Sequence, residues 1–175
     1  MKITLIRHTS VNVEPGICYG QSDVPLDESF SHTAEFIKHK LQVEKYDAIY
    51  CSPLSRCVKL AKYCGYETPI LDKRLLEINF GDWEMKNWEQ ISDPRLQHWY
   101  DDWINEKPTN GESFQTLISR VEEFLDELKC LPHKQVAIFT HAGVIRAIRI
   151  INKLISIKEA FKHKIEYGDI IELNI

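Results

Sequence analysis

The chain has 175 residues, of which 43% are hydrophobic and 27% are charged. This composition is typical of a folded globular protein and unlike that of a disordered chain. The length suits a single domain, and we expect residues 1–175 to form it. The formal net charge of −4 argues against nucleic acid as a partner, because such a partner requires a dominant basic face. An anionic ligand would therefore be bound by local positive charge.

Signals for membrane insertion, export and metal binding are also missing from the sequence. No stretch of about 18 apolar residues occurs, so no membrane partner is expected. The apolar run before Arg7 is too short for the core of a signal peptide. The five cysteines are odd in number and include no C-x-x-C pair, which predicts neither a disulfide framework nor a zinc site. We therefore predict a cytoplasmic protein without metal or cofactor.

Apolar runs and amphipathic stretches alternate along the first half of the chain. Residues 3–6 are apolar and rich in β-branched side chains, which predicts a strand buried on both faces at the centre of a parallel sheet. The next elements are predicted from hydrophobic spacing and from proline and glycine positions. They are a helix over 29–42, a strand over 47–51, a helix from 52–53 to Gly65, and a short strand over 69–71.

The second half continues the alternation. Residues 84–107 are polar and rich in tryptophan, and we expect one or two helices there, over an edge of the sheet. A wide apolar stripe predicts a helix over 113–129. A strand over 136–139, a helix to residue 151 and an edge strand over 170–175 complete the pattern. The alternation predicts an α/β fold, a three-layer sandwich whose mostly parallel central sheet has helices on both faces.

Two histidines share one sequence context, because His8 and His141 each follow a predicted buried strand. Ligands of open α/β sheets bind beyond the carboxyl ends of the strands, so the two imidazoles are expected to face each other there. Taken singly, either histidine would more often be structural than catalytic. The other histidines lack comparable neighbours and are expected at the surface; they are His32, His39, His98, His133 and His163.

Positive charge and an acid are predicted at the same edge of the sheet. Arg7 precedes His8, and Arg56 falls in the first turn of the second predicted helix, whose free N–H groups also favour an anion. Planar guanidinium groups suit phosphate oxygens. Glu77 lies in a loop-like stretch and can protonate a leaving oxygen, then act as base on water. Together these residues predict a phosphate site built without metal.

Five short motifs contain these residues. They are Arg7-His8-Thr9, Ser52-Pro53-Leu54-x-Arg56, Leu76-Glu77-x-x-Phe80-Gly81-x-Trp83-Glu84, Gly111-Glu112-Ser113 and Thr140-His141-Ala142-Gly143-Val144-Ile145-Arg146. In this order they resemble the histidine phosphatase superfamily, the phosphoglycerate-mutase-like enzymes. The resemblance extends from residue 3 to about residue 150. One such motif would be a weak signal, and five in order make a strong one.

The resemblance implies a role for each matching residue. His8 would be the nucleophile that takes up the phosphoryl group, and Glu77 would be the proton donor. The phosphate oxygens would be held by three side chains, with a further hydrogen bond from the N–H of Ala142. The three side chains are those of Arg7, Arg56 and His141.

Residues 16–26 (GICYGQSDVPL) resemble one branch, the α-ribazole phosphatases of cobalamin assembly. Those enzymes remove the 5′-phosphate from α-ribazole phosphate or from a late cobalamin phosphate intermediate. In this branch Tyr19 and Gln21 would face the substrate, a small phosphate monoester. The opening departs from the commoner family pattern of Gly, Glu, Thr and Asn, so a phosphate contact through that Asn is not carried over. The corresponding residues here are Thr9, Ser10, Val11 and Glu14.

Several alternatives stay open at this point. A broad-specificity phosphatase for sugar phosphates or other metabolites would use the same site with a different rim. A phosphoglycerate mutase is less favoured because an insertion of the longer family mutases is missing here. A non-catalytic module that binds a phosphorylated ligand is the third alternative. The oligomeric state is left as monomer or homodimer.

Aromatic, arginine and threonine side chains near the motifs have structural interpretations. Trp99 and Trp103 are four residues apart, which favours packing of one helix onto the body. Arg74 and Arg146 are expected to form structural ion pairs. Thr140 is expected to orient His141 or to cap the following helix. Stacking on a flat substrate base is the less favoured interpretation of Trp83, Trp88 and Tyr100.

Overall fold

The structure, a computed structural model, describes residues 1–175. Its two most apolar runs become neighbouring strands, β1 (Lys2–Arg7) and β4 (Gln135–Thr140), whose inner residues are buried without interruption. Such runs are typical of strands that are covered on both faces. The two strands pair in parallel, with Arg7 opposite Thr140. The residues that follow them, His8 and His141, therefore emerge side by side.

One sheet of five strands forms the middle layer, in the order β3-β2-β4-β1-β5. All strands are parallel except β5, which pairs antiparallel with β1 at the edge, where the sequence predicted it. The central strand is β4, so the prediction of a central position for β1 is corrected by one place. The remaining strands are β2 (Ala48–Cys51), β3 (Ile70–Leu71) and β5 (Ile170–Asn174).

Alternate side chains of the strands feed two cores on opposite faces of the sheet, as the period of two in a strand requires. Ile3 and Leu5 join the larger core, with α4 and α5, whereas Ile6 and Phe139 join the smaller core, with α1 and α2. The three-layer α/β prediction is thus confirmed. The helices are α1 (Phe30–Leu41), α2 (Ser55–Tyr63), α3 (Arg95–Asp101), α4 (Phe114–Lys129) and α5 (Ala142–Ile151).

The tryptophan-rich segment forms one α-helix, α3, where one or two were predicted, together with short 3₁₀ turns between residues 81 and 90. Trp99 lies in α3, stacked on Trp88 with ring centroids 5.5 Å apart. Trp103 lies beyond the end of α3 and packs on Phe114 of α4. The two rings therefore have different packing partners, and the prediction that they share one helix face is wrong.

No helix combines the length and the apolar character that crossing a lipid bilayer requires.

Candidate active site

The two strand-end histidines meet as predicted. The rings of His8 and His141 have centroids 5.1 Å apart in an edge-to-face arrangement, and both side chains are buried. The pairing of β1 with β4 continues one step past Arg7, because the N–H of His8 donates to the Thr140 carbonyl at 3.1 Å. Backbone register therefore decides the proximity of the two imidazoles.

The hydrogen bonding of His8 leaves one ring nitrogen free. Its Nδ1 lies 2.7 Å from the carbonyl oxygen of Thr9, which only accepts hydrogen bonds, so Nδ1 carries the proton. The other nitrogen, Nε2, has a lone pair and no protein partner. Burial, aided by the charges of Arg56 and Arg7, lowers the pKa of His8 from 6.5 to about 3. At neutral pH the imidazole is therefore uncharged and nucleophilic.

Two guanidinium groups beside His8 have donors without partners. The Nε atoms of Arg7 and Arg56 are buried and make no hydrogen bond within the protein. The Arg56 side chain is fully buried in the first turn of α2, and its other nitrogens donate to the carbonyls of Gly20 at 2.6 Å and Ser22 at 2.9 Å. Buried N–H groups without acceptors are costly, so this pair favours a bound anion.

The side chain of Glu77 contacts the first turn of α5, the helix that begins directly after His141. Its carboxylate accepts hydrogen bonds from the N–H groups of Gly143 at 3.1 Å and of Ile78 at 2.9 Å. The Gly143 position has no room for a side chain, because a Cβ there would lie 2.2 Å from Glu77 Oε1. The glycine in this motif therefore makes space for the acid. Ala142, predicted to add an N–H, is buried as the first residue of α5.

Two side chains, those of Ser52 and Cys57, hold the ring of His141. Its Nε2 lies 2.7 Å from the Ser52 hydroxyl and 3.5 Å from the Cys57 thiol. Burial, aided by the positive charges of Arg56 and Arg7, holds the pKa of His141 well below its usual value. Thr140 neither orients His141 nor caps α5 as predicted, because its hydroxyl donates to the carbonyl of Leu75 at 2.9 Å. That bond ties the loop of Glu77 to β4.

The loop over residues 19–22 is held by charged groups from two sides. Besides Arg56, the carboxylate of Glu84 accepts hydrogen bonds from the N–H groups of Gln21 at 2.8 Å and Phe80 at 3.1 Å. The amide side chain of Gln21, predicted to face substrate, donates instead to the main-chain carbonyl of Glu77 at 3.0 Å. Two cavities open at the site, and Tyr19 lines both of them, whereas Gln21 lines neither.

Two adjoining cavities form at this edge of the sheet. One, of about 260 Å³, is lined by the charged groups and by His8, whereas His141 is buried behind it and does not line it. The other, of about 250 Å³, is lined mainly by aromatic side chains. Tyr19, Glu77, Phe80 and Trp88 belong to both walls. We call the first the phosphate cavity, lined in addition by Arg7, His8, Ile17 and Arg56, and the second the aromatic cavity, lined in addition by Ile78, Trp99, Trp103, Phe114, Gly143, Arg146 and Phe161.

The surroundings of the aromatic cavity correct one prediction. Arg146 forms no ion pair: its Nε donates to the Ala160 carbonyl at 3.0 Å, and its guanidinium lies 4.8 Å from the centre of the Phe161 ring. Trp83 is fully buried, with its Nε1 donating to Asp93 at 2.8 Å, which agrees with the structural interpretation favoured for it. The prediction for Arg74 is confirmed, since it pairs with two carboxylates, those of Asp72 and Glu127.

Some residues near the site carried no sequence signal for it. Tyr167 lies 5.5 Å from the His8 ring, although it belongs to no motif. Arg120 of α4 donates to the carbonyls of Arg74 at 2.6 Å and Glu77 at 3.1 Å, and pairs with Glu112 at 2.7 Å. Of these contacts of Arg120, only the one with Glu112 involves a sequence motif, Gly111-Glu112-Ser113.

Comparison with known proteins agrees with this geometry. The family model of the histidine phosphatase superfamily (branch 1) matches residues 3–175. The chain is 34% identical to adenosylcobalamin/alpha-ribazole phosphatase of Salmonella typhimurium over 155 residues, 83% of this chain and 76% of that protein. It is 31% identical to the Escherichia coli protein of the same name over 154 residues, 83% of this chain and 75% of that one.

A solved structure shares the fold. The crystal structure of alpha-ribazole phosphatase from Shigella flexneri matches with a TM-score of 0.88 and 27% identity, covering 100% of this chain and 91% of that chain. The paired histidines and arginines at the strand ends therefore sit on a known scaffold. This chain belongs to the histidine phosphatase superfamily, branch 1.

Proposed function

We propose that the protein is a metal-independent phosphomonoesterase that forms a phosphohistidine on His8. One observation carries the proposal: two guanidinium groups line the same cavity as an imidazole whose Nε2 has no protein partner. The arginine donors suit phosphate oxygens, and the neutral Nε2 suits attack on phosphorus. Arg7, Arg56 and His141 would stabilise the charge on the transferring group.

The reaction would proceed in two displacements. First, the lone pair of His8 Nε2 attacks phosphorus, the bond from phosphorus to the leaving oxygen breaks, and protonated Glu77 gives its proton to that oxygen. Then water attacks the phosphohistidine while the Glu77 carboxylate takes a proton from it. The P–N bond breaks, inorganic phosphate leaves, and both side chains return to their starting states. No cofactor enters either step.

The substrate we propose is α-ribazole 5′-phosphate, or the cobalamin 5′-phosphate intermediate. The aromatic cavity adjoins the phosphate cavity, and Glu77, the proposed proton donor to the leaving oxygen, lines both. Aromatic walls suit the flat base of a ribazole, which gains both apolar burial and ring contacts there. The names of the two bacterial relatives point the same way.

The test is phosphate release in the presence of EDTA from α-ribazole 5′-phosphate and from a panel of sugar and nucleoside monophosphates. We expect a strong preference for the ribazole ester, with His8→Ala at least about 10⁴-fold less active. His98→Ala, which removes an exposed histidine of α3, is the control and should match the wild type. Labelled ester should also leave an acid-labile, base-stable phosphoryl group on the wild type.

Other outcomes would select the alternatives. Slow, unselective release that still needs His8 would indicate a broad-specificity metabolite phosphatase. Activity that survives His8→Ala, or that EDTA abolishes, would contradict the phosphohistidine mechanism. Phosphate binding without any release would indicate a non-catalytic binding module.

A further inference from the structure

Tyr167 lies in the segment that leads into β5, far in sequence from the site, yet it touches the site's basic groups. The guanidinium carbon of Arg7 lies 3.8 Å from the centre of its ring. Its hydroxyl lies 2.5 Å from the hydroxyl of Tyr19, which lines both cavities. Residues 148 positions apart in the chain are thus joined beside His8, whose ring centre lies 5.5 Å from that of Tyr167.

The same segment also binds Arg7 by main-chain atoms. Nη1 of Arg7 donates to the carbonyl of Ile165 at 2.5 Å. A planar group with one end bonded and one face stacked has little freedom left, so these two contacts determine where the other donors point. One of those donors is Nε, which is buried and has no partner.

Main-chain pairing makes this segment a firm support. The N–H of Arg7 donates to the carbonyl of Asp169 at 3.0 Å, and the N–H of Gly168 donates to the carbonyl of His8 at 3.1 Å. Gly168 adopts a φ of +78°, and a Cβ there would meet the Thr33 side chain at 2.8 Å. The turn therefore sets the Tyr167 ring in register with the end of β1.

Each of the two tyrosines contacts a different arginine of the site. The Tyr167 ring faces Arg7 at 3.8 Å, and the Tyr19 ring lies 5.7 Å from the guanidinium carbon of Arg56. The face of an aromatic ring attracts a cation, most strongly where water is excluded. Rings so placed restrain two like charges that would otherwise repel each other beside His8.

We propose that Tyr167 is a positioning residue of the phosphate site, its ring holding the Arg7 guanidinium and its hydroxyl holding Tyr19. The inference rests on the proposed function, since it gives Arg7 the task of binding phosphate. Tyr167 acts through Arg7 and takes no part in the chemistry. Its ring is the essential part, so phenylalanine should replace it and leucine should not.

The experiment compares Tyr167→Phe with Tyr167→Leu. Because Tyr167 is 38% exposed, we expect Tyr167→Leu to raise both KM for the ester and the inhibition constant of inorganic phosphate about fivefold, the upper end for a cation–π contact at an exposed ring. Tyr167→Phe should stay within about twofold of the wild type, because it keeps the ring. Tyr63→Leu is the matched control, since that ring faces Lys38 at 5.7 Å away from the site.

Three results would overturn the inference. They are an unchanged phosphate inhibition constant in Tyr167→Leu, equal effects of leucine and phenylalanine, and a fall in melting temperature with no change in phosphate affinity. Calorimetric titration with inorganic phosphate separates this inference from the proposed function. Wild type that binds phosphate but hydrolyses no ester would contradict the function alone, whereas active wild type with normal binding in Tyr167→Leu would contradict the positioning role alone.

Discussion

The phosphate cavity and the aromatic cavity share a wall but are built differently. The first is formed at the ends of regular elements, with His8 after β1 and Arg56 in the first turn of α2. The second takes its own side chains from three helices and from the chain between them, with Trp99 in α3, Phe114 in α4 and Phe161 in the stretch between α5 and β5. The phosphate cavity contains buried charge, such as that of Arg56, and the aromatic cavity contains partly exposed apolar surface, such as that of Phe161.

The difference separates chemistry from recognition. Groups that must meet a phosphate within hydrogen-bonding distance are held by strands and helices, whose backbone positions are set by many hydrogen bonds. Groups that select a leaving group need only provide a surface of suitable shape, which side chains from several elements can form together. Glu77 belongs to both walls, because the proton it supplies is needed where the two parts of the substrate join.

The largest effect should come from Gly143→Ala, which sharpens the role of that shared residue. The new Cβ would lie 2.2 Å from Oε1 of Glu77 and would push the carboxyl group aside. Because that group ends a flexible side chain, the fold should tolerate the change. We expect activity on alkyl esters to fall by about 10²–10⁴, the range for losing a general acid. 4-Nitrophenyl phosphate needs no protonation of its leaving group and should be hydrolysed at a much less reduced rate.

Glu77→Gln is the matched control for that prediction and should show the same dependence on the leaving group. Equal losses on alkyl and nitrophenyl esters, or normal activity in Gly143→Ala, would contradict the role of Glu77 as acid.

Arg120→Met should weaken the support common to both cavities. The variant leaves the mostly buried Glu112 carboxylate and the carbonyls of Arg74 and Glu77 without their donor. We expect the free energy of unfolding to fall by about 3 kcal/mol, as for a buried pair that loses one partner. Urea denaturation measures this. Lys129→Met, in an exposed pair with Asp126, should change it by less than about 1 kcal/mol.

Acid should destabilise the protein in part through His8, a buried histidine of the phosphate cavity. The pKa of His8 is about 3 in the folded protein and near 6.5 when unfolded, so the unfolded state takes up the proton first. Stability is therefore retained above pH 6.5 and lost as pH falls towards 3, by at most about 1.4 kcal/mol per pH unit for this group.

His8→Asn removes that titration, and its unfolding free energy between pH 7 and 5 should decline less steeply than that of the wild type. Phe161→Ala, in the aromatic cavity, should retain the wild-type slope. Identical slopes for wild type and His8→Asn would show that His8 is not held neutral by burial.

The smallest effect should come from Phe161→Ala, which tests the aromatic cavity alone. We expect KM for the ribazole ester to rise by up to about tenfold, the effect of losing one ring contact. The inhibition constant of inorganic phosphate should not change, because Phe161 does not line the phosphate cavity. Phe36→Ala is the control, with a ring 58% exposed on α1 against 56% for Phe161. A changed phosphate constant would mean that the two cavities are not separable.

The local sequence pattern was sufficient to predict the regular elements and the residues that lie at their ends. An apolar run buried on both faces predicts a strand, and a strand end places its next side chain at the ligand edge, which is why His8, His141 and Arg56 were found. Glu77 was found by its motif. Local pattern failed for Trp103 and Arg146, whose partners lie on other elements and leave no periodic trace in the sequence.

By itself, then, the sequence determined the α/β alternation, the strand-end histidines and the family. These follow from contacts within a few residues and from strand pairing set by hydrophobic pattern. Only the tertiary structure decided that Tyr167 stacks on Arg7, that Arg120 holds the loop of Glu77, and that the aromatic cavity opens beside the phosphate cavity. Such contacts join residues far apart in the chain, and side-chain packing in three dimensions, rather than local periodicity, selects them.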